Sequence, residues 1–449
     1  MASDSPVAHP SEWHVVQLGD IALKIGSGAT PRGGEEAYLP QRFNFALVRS
    51  QNVFDRHFDT SGLAFISDEQ AESLKGVALQ PRDLLLNITG DGITFSRCCV
   101  VPNDVLPACV NQHVSIIRVK QDVADPGYVL SYLTHPATKT YIESFNAGGS
   151  RRAITKGHIE SFRIALPPLM EQRAIAHILD TLDDRIDLNR RMNETLEGMA
   201  RALFKSWFID FDPVRAKNEV RDVGLPKRLA DLFPMTLEAP DGVEIPQGWR
   251  LLPLPDVIDV NPPRPLRHGD VAPYLDMANM PTRGHSPDSV VERPFGSGMR
   301  FSNGDTLVAR ITPCLENGKT AYVDFLQPNQ IGWGSTEYIV LRPKQPLPLE
   351  YAYFLARSSQ FREFAIQSMT GSSGRQRVPA EALSHFKVAV PSAEIATEFG
   401  KLVSPLIARA SAAVKQSRIL RALRDTLLPK LISGELRLAD PKRFLGGQM

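Results

Sequence analysis

The chain has 449 residues, of which 43% are hydrophobic and 22% are charged, and its net charge is +1. This composition is typical of folded globular proteins, and the length predicts two to four domains at roughly 100–200 residues each. The near-zero net charge excludes a basic field over the whole chain, so any nucleic-acid surface must be a local patch. Residues 1–10 (MASDSPVAHP) lack a basic, apolar leader, and no apolar run approaches the roughly 18 residues of a membrane helix. We therefore expect a cytoplasmic protein.

Five segments recur in the same order along the chain, which indicates an internal duplication. The paired segments are residues 13–21 (WHVVQLGDI) with 249–258, 47–54 with 274–281, 81–90 with 303–313, 127–133 with 350–356, and 150–167 with 374–391. The last pair aligns without a gap and places Arg151 opposite Arg375. Each copy consists of short strands and turns followed by a long helix, so the pattern predicts an α+β fold with two duplicated α/β domains.

The first long helix is predicted after Pro168, because residues 171–208 contain no proline and only one glycine. Its apolar stripe alternates three- and four-residue steps over about five heptads. The stripe is Ile175, Leu179, Leu182, Ile186, Asn189, Asn193, Leu196, Ala200, Leu203 and Trp207. At 1.5 Å per residue this helix is roughly 55 Å long, which favours a spacer. The acidic pair Asp183 and Asp184 is interpreted as its solvated face.

A second stripe of the same kind lies near the end of the chain. It is formed by Ile395, Phe399, Leu402, Leu406, Arg409, Ala413, Gln416, Leu420, Leu423 and Leu427. Both stripes are polar near the middle, as expected where buried polar residues set the register of two helices. We infer that the helices pack on each other, although each stripe could instead cover its own globular unit. Pro405 predicts a kink that separates the first turns of this helix.

Two short motifs have a superficial resemblance to catalytic sites. The NPPR motif at residues 261–264 is similar to the Asn-Pro-Pro-aromatic motif of amino-methyltransferases, but Arg264 replaces the stacking aromatic residue. A proline turn at a strand end explains it better. The GKT motif at residues 318–320 resembles the end of a phosphate loop, but Pro313 stands where the loop requires glycine. These differences predict a chain without a catalytic site.

The metal-ligating residue types follow no metal-binding pattern. His113, His158, His177 and His385 are scattered, and we interpret them as surface or packed residues. Cys98 and Cys99 are adjacent, whereas Cys109 and Cys314 stand alone, so neither a disulfide framework nor a zinc site is expected. We predict reduced structural thiols and no bound metal.

Basic turns flanked by glycine carry the functional prediction. Arginine suits phosphate oxygens and the O6/N7 edge of guanine, whereas amide side chains pair with adenine. The candidate DNA-binding residues are Arg49, Gln51, Asn52, Arg151, Arg152, Lys156, Arg375 and Arg377. The alternative is that these are ordinary solvated loop residues. That alternative is weaker for Arg151 and Arg375, since both copies keep a cation there.

Together these segments resemble the specificity subunits of type I restriction-modification systems. The resemblance covers nearly the whole chain and rests on the duplicated opening, residues 148–197 (GGSRRAIT to NETLE) and residues 423–436 (LRDTLLPKLISGEL). It implies two target-recognition domains, each reading half of a split DNA site, separated by two long antiparallel helices that form a coiled-coil spacer. The corresponding ranges are 1–168 and 246–391 for the domains, 169–245 for the first helical spacer and linker, and 392–449 for the second spacer.

The resemblance also implies partners and a division of labour. The helices would dock methyltransferase subunits, two per complex, which bind S-adenosylmethionine and methylate adenine. Restriction subunits using ATP and Mg could join them, and this chain would itself hold no cofactor and catalyse nothing. The family's recognition domains vary too much to transfer base-contacting residues to this chain. One alternative is a protein-interaction scaffold. The other is a self-contained methyltransferase, which the absence of a glycine-rich cofactor loop from the sequence disfavours.

Overall fold

The computed structural model describes residues 5–31, 33–146, 152–372 and 374–445. The chain divides into two compact units: residues 1–188 with 417–449 form the first, and residues 189–416 form the second. Strands and helices occur in both units, which confirms the predicted α+β class. The predicted domain boundaries at residues 168, 245 and 391 stay predictions.

The elements up to residue 208 are short strands and helices followed by one long helix. They are β1 (His14–Gln17), α1 (Leu18–Ile21), β2 (Ala22–Ser27), β3 (Phe45–Val48), β4 (Val53–Phe54), β5 (His57–Phe58), β6 (Ala64–Ile66), α2 (Asp68–Ser73), β7 (Leu84–Asn87), β8 (Thr89–Gly90), β9 (Cys98–Val100), β10 (Ala108–Val110), β11 (Val114–Val119), α3 (Pro126–Leu133), α4 (Pro136–Ser144), β12 (Arg152–Ala153), α5 (Lys156–Glu160), β13 (Arg163–Leu166) and α6 (Leu169–Phe208).

The elements after residue 208 include the second long helix. They are α7 (Asp212–Asn218), α8 (Lys227–Ala230), β14 (Leu237–Glu238), β15 (Ile245–Pro246), β16 (Arg250–Pro253), α9 (Leu254–Val257), β17 (Ile258–Val260), β18 (Val271–Leu275), β19 (Val291–Pro294), β20 (Met299–Phe301), β21 (Thr306–Ala309), β22 (Thr320–Tyr322), β23 (Gly332–Gly334), β24 (Tyr338–Pro343), α10 (Glu350–Arg357), α11 (Ser359–Gln367), β25 (Lys387–Val390), α12 (Ala393–Ile432) and α13 (Pro441–Phe444).

Each unit has a four-stranded antiparallel sheet at its centre. The strand order is β2-β11-β7-β9 in the first unit and β17-β24-β21-β22 in the second. The middle strands β11 (VSIIRV) and β24 (YIVLRP) are almost wholly buried, as suits runs rich in β-branched residues. A further sheet in each unit contains one parallel pair, β3 with β10 and β18 with β23. The matching topology supports the predicted duplication.

A buried ion pair recurs at the same place in both central sheets. Arg118 Nε lies 2.7 Å from Asp83 Oδ1 in the first unit, and Arg342 Nη1 lies 2.7 Å from Asp305 Oδ1 in the second. Both carboxylates are fully buried. A buried charge is costly unless it is paired, so each pair holds β7 or β21 against its neighbouring strand.

The helix after the central sheet of the first unit begins at a defined signal. In the first unit Asp125 caps α3 by accepting hydrogen bonds from Gly127 N at 2.9 Å and Tyr128 N at 3.3 Å. Pro126 occupies the first helical position, where its missing N–H costs nothing. Helix α3 is buried along its whole length and covers one face of the sheet.

The helices α6 and α12 contain 40 residues each and pack against each other in both units. In the first unit Ile175 and Leu179 of α6 share a core with Leu428 and Leu431 of α12. In the second unit the later part of α6 meets the earlier part of α12, where Phe204 and Trp207 share a core with Ile395, Phe399 and Val403. The two helices are therefore antiparallel, as predicted.

The polar middle of the α6 stripe is also buried. Asn189 is 6% exposed, and its Nδ2 donates to Gln416 Oε1 of α12 at 3.1 Å. The Oδ1 atom of Asn193 is buried without a hydrogen-bond partner among the described residues. The remaining predicted packing residues are half-buried, namely Leu182, Ile186, Leu196, Leu203, Leu406, Leu420 and Leu427.

The register of α12 departs from the prediction at Leu402, although the predicted position Ala413 is buried. Leu402 and Leu423 are 37% and 45% exposed, whereas Val403 and Ile407 are buried. The buried positions advance by four residues from Ile395 to Ile407, while the prediction switched to a three-residue step too early. Leu423 is thus more exposed than the packing position that the prediction gave it.

Pro405 does not divide the second helix. Helix α12 runs without interruption from Ala393 to Ile432, so the predicted separation of its first turns is wrong. Buried Val403 and Ile407 flank the proline and hold the helix to the core on both sides. The helix ends two residues before Gly434, whose φ of +70° is a conformation that glycine adopts without strain.

Candidate nucleic-acid interface

In the first unit the short strand β12 closes over the end of the central sheet. Ala153 pairs with Thr89, and Ile154 N donates to Ile88 O at 3.0 Å. Ile88 N donates in turn to His113 O at 3.0 Å. These contacts bring together residues 88–94, 111–113 and 152–154, which we call the first edge.

The second unit repeats this backbone arrangement. Arg377 pairs with Ile311, and Val378 N donates to Arg310 O at 2.9 Å. Arg310 N donates to Glu337 O at 3.0 Å. We call residues 310–316, 335–337, 370–372 and 374–378 the second edge.

The two edges have the same backbone arrangement but different side chains. The internal alignment pairs Ile88 with Arg310, and the matching hydrogen bonds place His113 where the second unit has Glu337. Base pairs are distinguished by their patterns of donors, acceptors and methyl groups. One scaffold with two sets of side chains is therefore suited to reading two different sequences.

The first edge presents a row of hydroxyl, amide and imidazole side chains. Thr89 Oγ1 lies 2.6 Å from His113 Nδ1, and Gln112 Nε2 lies 3.2 Å from His113 Nε2. Thr30 Oγ1 donates to Gln112 Oε1, and Gln112 is exposed. Hydroxyl, amide and imidazole groups can both donate and accept, as the mixed edge of adenine requires.

The predicted cations near the first edge are engaged in ion pairs. Arg152 Nη1 lies 2.7 Å from Glu143 Oε1, with the arginine side chain 34% exposed. Lys156 Nζ lies 3.4 Å from Glu160 Oε1, and its side chain is 62% exposed. Such exposed pairs are weak, so both cations can exchange partners with a phosphate. Arg151 lies outside the described residues.

The predicted residues that follow β3 line a turn beside this edge. Arg49 Nη2 donates to Gly62 O at 2.8 Å, and its guanidinium lies over the Tyr38 ring with the centroid at 5.2 Å. Gln51 is exposed and its Nε2 donates to the same carbonyl at 3.2 Å. Both side chains are therefore held along the turn, with Gln51 the more accessible.

Asn52 has a different role from the one that its residue type predicted. Its side chain is fully buried, and its Nδ2 donates to Asp59 O at 2.9 Å and to Ser61 O at 3.3 Å. Its Oδ1 accepts from Arg49 N at 3.0 Å. The amide is thus used in holding the turn, and in this arrangement it does not reach a ligand.

Asn87 connects this turn to the first edge, a link that the sequence did not reveal. Its side chain is fully buried, and its Nδ2 donates to Ser50 O at 3.0 Å and to Thr94 O at 3.1 Å. Asn87 is the last residue of β7, and the three residues before it are apolar and buried. An amide at the end of an apolar strand was the one sequence feature that could have indicated this link.

The second edge carries a charged cluster. Glu337 Oε1 accepts from Arg377 Nε at 2.8 Å, and Glu337 Oε2 accepts from Arg310 Nε at 3.3 Å. The cluster combines two cations with one anion and remains partly exposed. Arg375 is exposed nearby, and its backbone N donates to Ser372 O at 3.0 Å. The sequence made Arg375 and Arg377 candidates, which they remain, whereas it gave no signal for Arg310 or Glu337.

The NPPR and GKT motifs have structural roles. Asn261 follows β17 and exchanges backbone and side-chain hydrogen bonds with Val340, and Arg264 Nη2 lies 2.8 Å from the buried Asp305 Oδ1. This supports the proline turn at a strand end. Lys319 donates through Nζ to Met277 O at 2.5 Å.

An ionic network ties the first unit's strands to its helices. Arg56, whose side chain is 3% exposed, lies with Nε 2.5 Å from Asp183 Oδ2, and Arg424 Nη1 lies 2.8 Å from Asp183 Oδ1. Asp183 is therefore 16% exposed and does not belong to a solvated face. The sequence missed its role because both partners lie far away in the chain.

A histidine occupies the corresponding network of the second unit. His285 Nε2 lies 3.2 Å from Asp324 Oδ2, and its Nδ1 lies 3.9 Å from Glu197 Oε2. Burial alone lowers the pKa of His285, but the neighbouring carboxylates of Asp324 and Glu197 raise it to about 9. Burial alone raises the pKa of Glu197, but the nearby His285 and the hydrogen bond from Tyr353 lower it to about 2. Both groups are charged at neutral pH.

Three further properties concern the described part of the chain. It contains no group of three or more His, Cys, Asp or Glu side chains arranged to hold a metal ion. None of its helices has the length and hydropathy needed to span a bilayer. The four cysteines are free thiols, and burial raises the pKa of Cys98 to about 12, so that this thiol is protonated.

Comparisons with known proteins point to one family. The family described as the type I restriction modification DNA specificity domain matches residues 10–198. The type I restriction enzyme HindI specificity subunit of Haemophilus influenzae is 25% identical, over 95% of this chain and 100% of that protein. The MjaIX specificity subunit of Methanocaldococcus jannaschii is 23% identical, over 96% of this chain and 95% of that protein.

A solved structure shares the fold. The crystal structure of the S subunit of a type I restriction-modification system from M. genitalium matches with a TM-score of 0.54 and 14% identity. The match covers 96% of this chain and 99% of that chain. At this identity the likeness concerns the fold alone.

Proposed function

We propose that this chain, which belongs to the specificity subunits of type I restriction-modification systems, reads a split DNA site with one edge of each unit. The observation that carries the proposal is the repeated backbone of the two edges with different side chains. Ala153 pairs with Thr89 as Arg377 pairs with Ile311, yet His113 stands where the second unit has Glu337. Two readers built on one scaffold fit a site made of two unlike halves.

The cations near both edges would provide phosphate contacts that orient the protein, while base edges are read by the polar groups between them. Lys156 and Arg375 are exposed and suit the first role. Arg151 stays a candidate for the same role from its place in the sequence. Because the net charge is only +1, partner subunits would supply much of the attraction to the DNA backbone.

The helices α6 and α12 would set the distance between the half-sites. Each has 40 residues and measures about 60 Å at 1.5 Å per residue. Their antiparallel packing and the Asn189–Gln416 hydrogen bond support a fixed register. Inserting four residues into both helices adds roughly 6 Å and would lengthen the spacer between the half-sites without changing either half-site.

The remaining functions would belong to partners. Two methyltransferase subunits would dock on the helices and bring S-adenosylmethionine, and restriction subunits would bring ATP and Mg. This chain would be non-catalytic, without a cofactor of its own, and would work in the cytoplasm. Its family membership favours this account over the scaffold alternative.

Competitive binding to short duplexes tests the proposal. The complex of this chain with its methyltransferase subunits should prefer one bipartite sequence by at least roughly a thousandfold over random duplex at physiological salt. The methyltransferase alone serves as the control and should show no such preference. Equal affinity of the complex for all duplexes would contradict the proposal.

A further inference from the structure

We propose that Arg310 and Arg377 read a guanine in the half-site of the second unit, and that Glu337 is the positioning residue that aims them. This inference rests on the proposed function and assigns roles within it. The three side chains lie on separate segments, and backbone contacts between these segments hold them together. Arg310 N donates to Glu337 O at 3.0 Å, and Val378 N donates to Arg310 O at 2.9 Å.

The geometry leaves the outer ends of both guanidinium groups available. Glu337 accepts from the Nε atoms, at 2.8 Å from Arg377 and 3.3 Å from Arg310. Nη1 of Arg377 makes a long contact of 3.4 Å with Arg375 O. Neither Nη atom of Arg310 has a hydrogen-bond partner among the described residues. An arginine held through Nε can donate through both Nη atoms, which matches the O6 and N7 acceptors of guanine.

Exposure and charge also favour a ligand at this place. The side chains of Arg310, Glu337 and Arg377 are 29%, 20% and 44% exposed. Two guanidinium groups share one carboxylate, so the cluster keeps a positive charge directed at solvent. The buried Asp305 also binds two arginines, but Arg264 and Arg342 donate to it through Nη atoms. Among the described residues, the Glu337 carboxylate accepts only from Nε atoms, so the Nη atoms remain for an acceptor from outside the chain.

The first unit shows what the same positions do without this cluster. Ile88 replaces Arg310 there, Ala153 replaces Arg377, and His113 takes the place of Glu337. The backbone hydrogen bonds are retained, so the cluster is not needed to build the edge. Its side chains are therefore free to serve recognition in the second unit alone.

Methylated-adenine mapping on a randomised site library, with this chain in complex with its methyltransferase subunits, tests the inference. Arg310→Ala and Arg377→Ala should each reduce the preference for guanine at one position of one half-site by about 5- to 150-fold. The other half-site and the spacer should not change. Glu337→Gln keeps an acceptor for Nε and should retain more of this preference than Glu337→Ala.

The controls separate this inference from a phosphate contact and from the proposed function. Arg221→Ala removes an exposed arginine whose Nε lies 2.6 Å from Glu219 and should leave the motif unchanged. If the Arg310 and Arg377 variants slow methylation equally on every sequence, they contact phosphate or stabilise the fold, and the inference is overturned. If the parent complex itself shows no motif, the proposed function has failed instead.

Discussion

The side-chain amide of Asn87 donates to the backbone carbonyl of Ser50 at 3.0 Å, although the two residues are on different segments. The same Nδ2 donates to Thr94 O at 3.1 Å. One buried amide therefore holds the turn that carries Gln51 against the loop that adjoins Arg152. Gln51 and Arg152, one from each group of DNA-binding candidates predicted in the first half of the chain, therefore lie on connected segments.

Loss of the Asn87 donor should impair one half-site. Asn87→Asp keeps the size of the side chain but removes the Nδ2 donor, so the free energy of unfolding should fall by about 1–3 kcal/mol. Recognition by the first unit should weaken while recognition by the second is retained. Thermal unfolding and a methylation map of the variant measure both effects. A variant with unchanged stability and an unchanged motif would show that the amide is dispensable.

The buried Asp83–Arg118 pair should be a major source of stability in the first unit. Asp83→Asn leaves the arginine without its carboxylate in the core, and such a loss costs about 3–5 kcal/mol. Glu72→Gln, which breaks an exposed pair with Lys75, is the control and should change stability by less than about 0.5 kcal/mol. Denaturant unfolding measures both. A cost for Asp83→Asn as small as that of the control would contradict this role.

The second unit should lose stability in alkaline solution because of His285. The folded pKa of about 9 is raised above the ordinary value of 6.5, so the charged form stabilises the fold. This contribution is complete below pH 6.5 and is lost as the pH rises through about 9, with a slope of up to about 1.4 kcal/mol per pH unit. His285→Asn should flatten the dependence. If the unfolding free energies of the parent protein and of His285→Asn fall equally steeply between pH 6 and 10, the prediction is contradicted.

The two asparagines in the α6 stripe should respond oppositely to replacement by leucine. Asn193→Leu removes a buried oxygen that lacks a partner, so the helix pair should gain about 1 kcal/mol. Asn189→Leu leaves Gln416 without its hydrogen bond and should lower stability by a similar amount. Thermal unfolding of the two variants gives the comparison. Equal shifts of the same sign would mean that neither residue is distinguished by its hydrogen bond.

The helices and the duplication could be predicted because their signals lie in the periodicity and order of the sequence. The three- and four-residue spacing of apolar residues predicted both helices. The structure differs in that Leu402 is exposed and in that α12 continues through Pro405. Tertiary packing overrides such local preferences because it acts on the whole face of a helix. A propensity rule considers only the residue and its neighbours.

The candidate site was only partly predictable, because its chemistry depends on residues far apart in the chain. Arg377 was identified from its glycine-flanked turn, whereas Glu337 gave no local signal. Its partners are 27 and 40 residues away and meet it only through strand pairing. For Asn52 the residue type suggested a base contact, whereas in the structure its side chain is buried and holds the turn.

The central claim is that this chain gives a methyltransferase complex its bipartite sequence specificity. The most direct measurement is a genome-wide map of methylated adenines in cells producing this chain with its methyltransferase subunit, compared with cells producing the methyltransferase alone. We predict a split motif that occurs only when this chain is present. Methylation with no motif, or with the same motif in both cells, would contradict the claim.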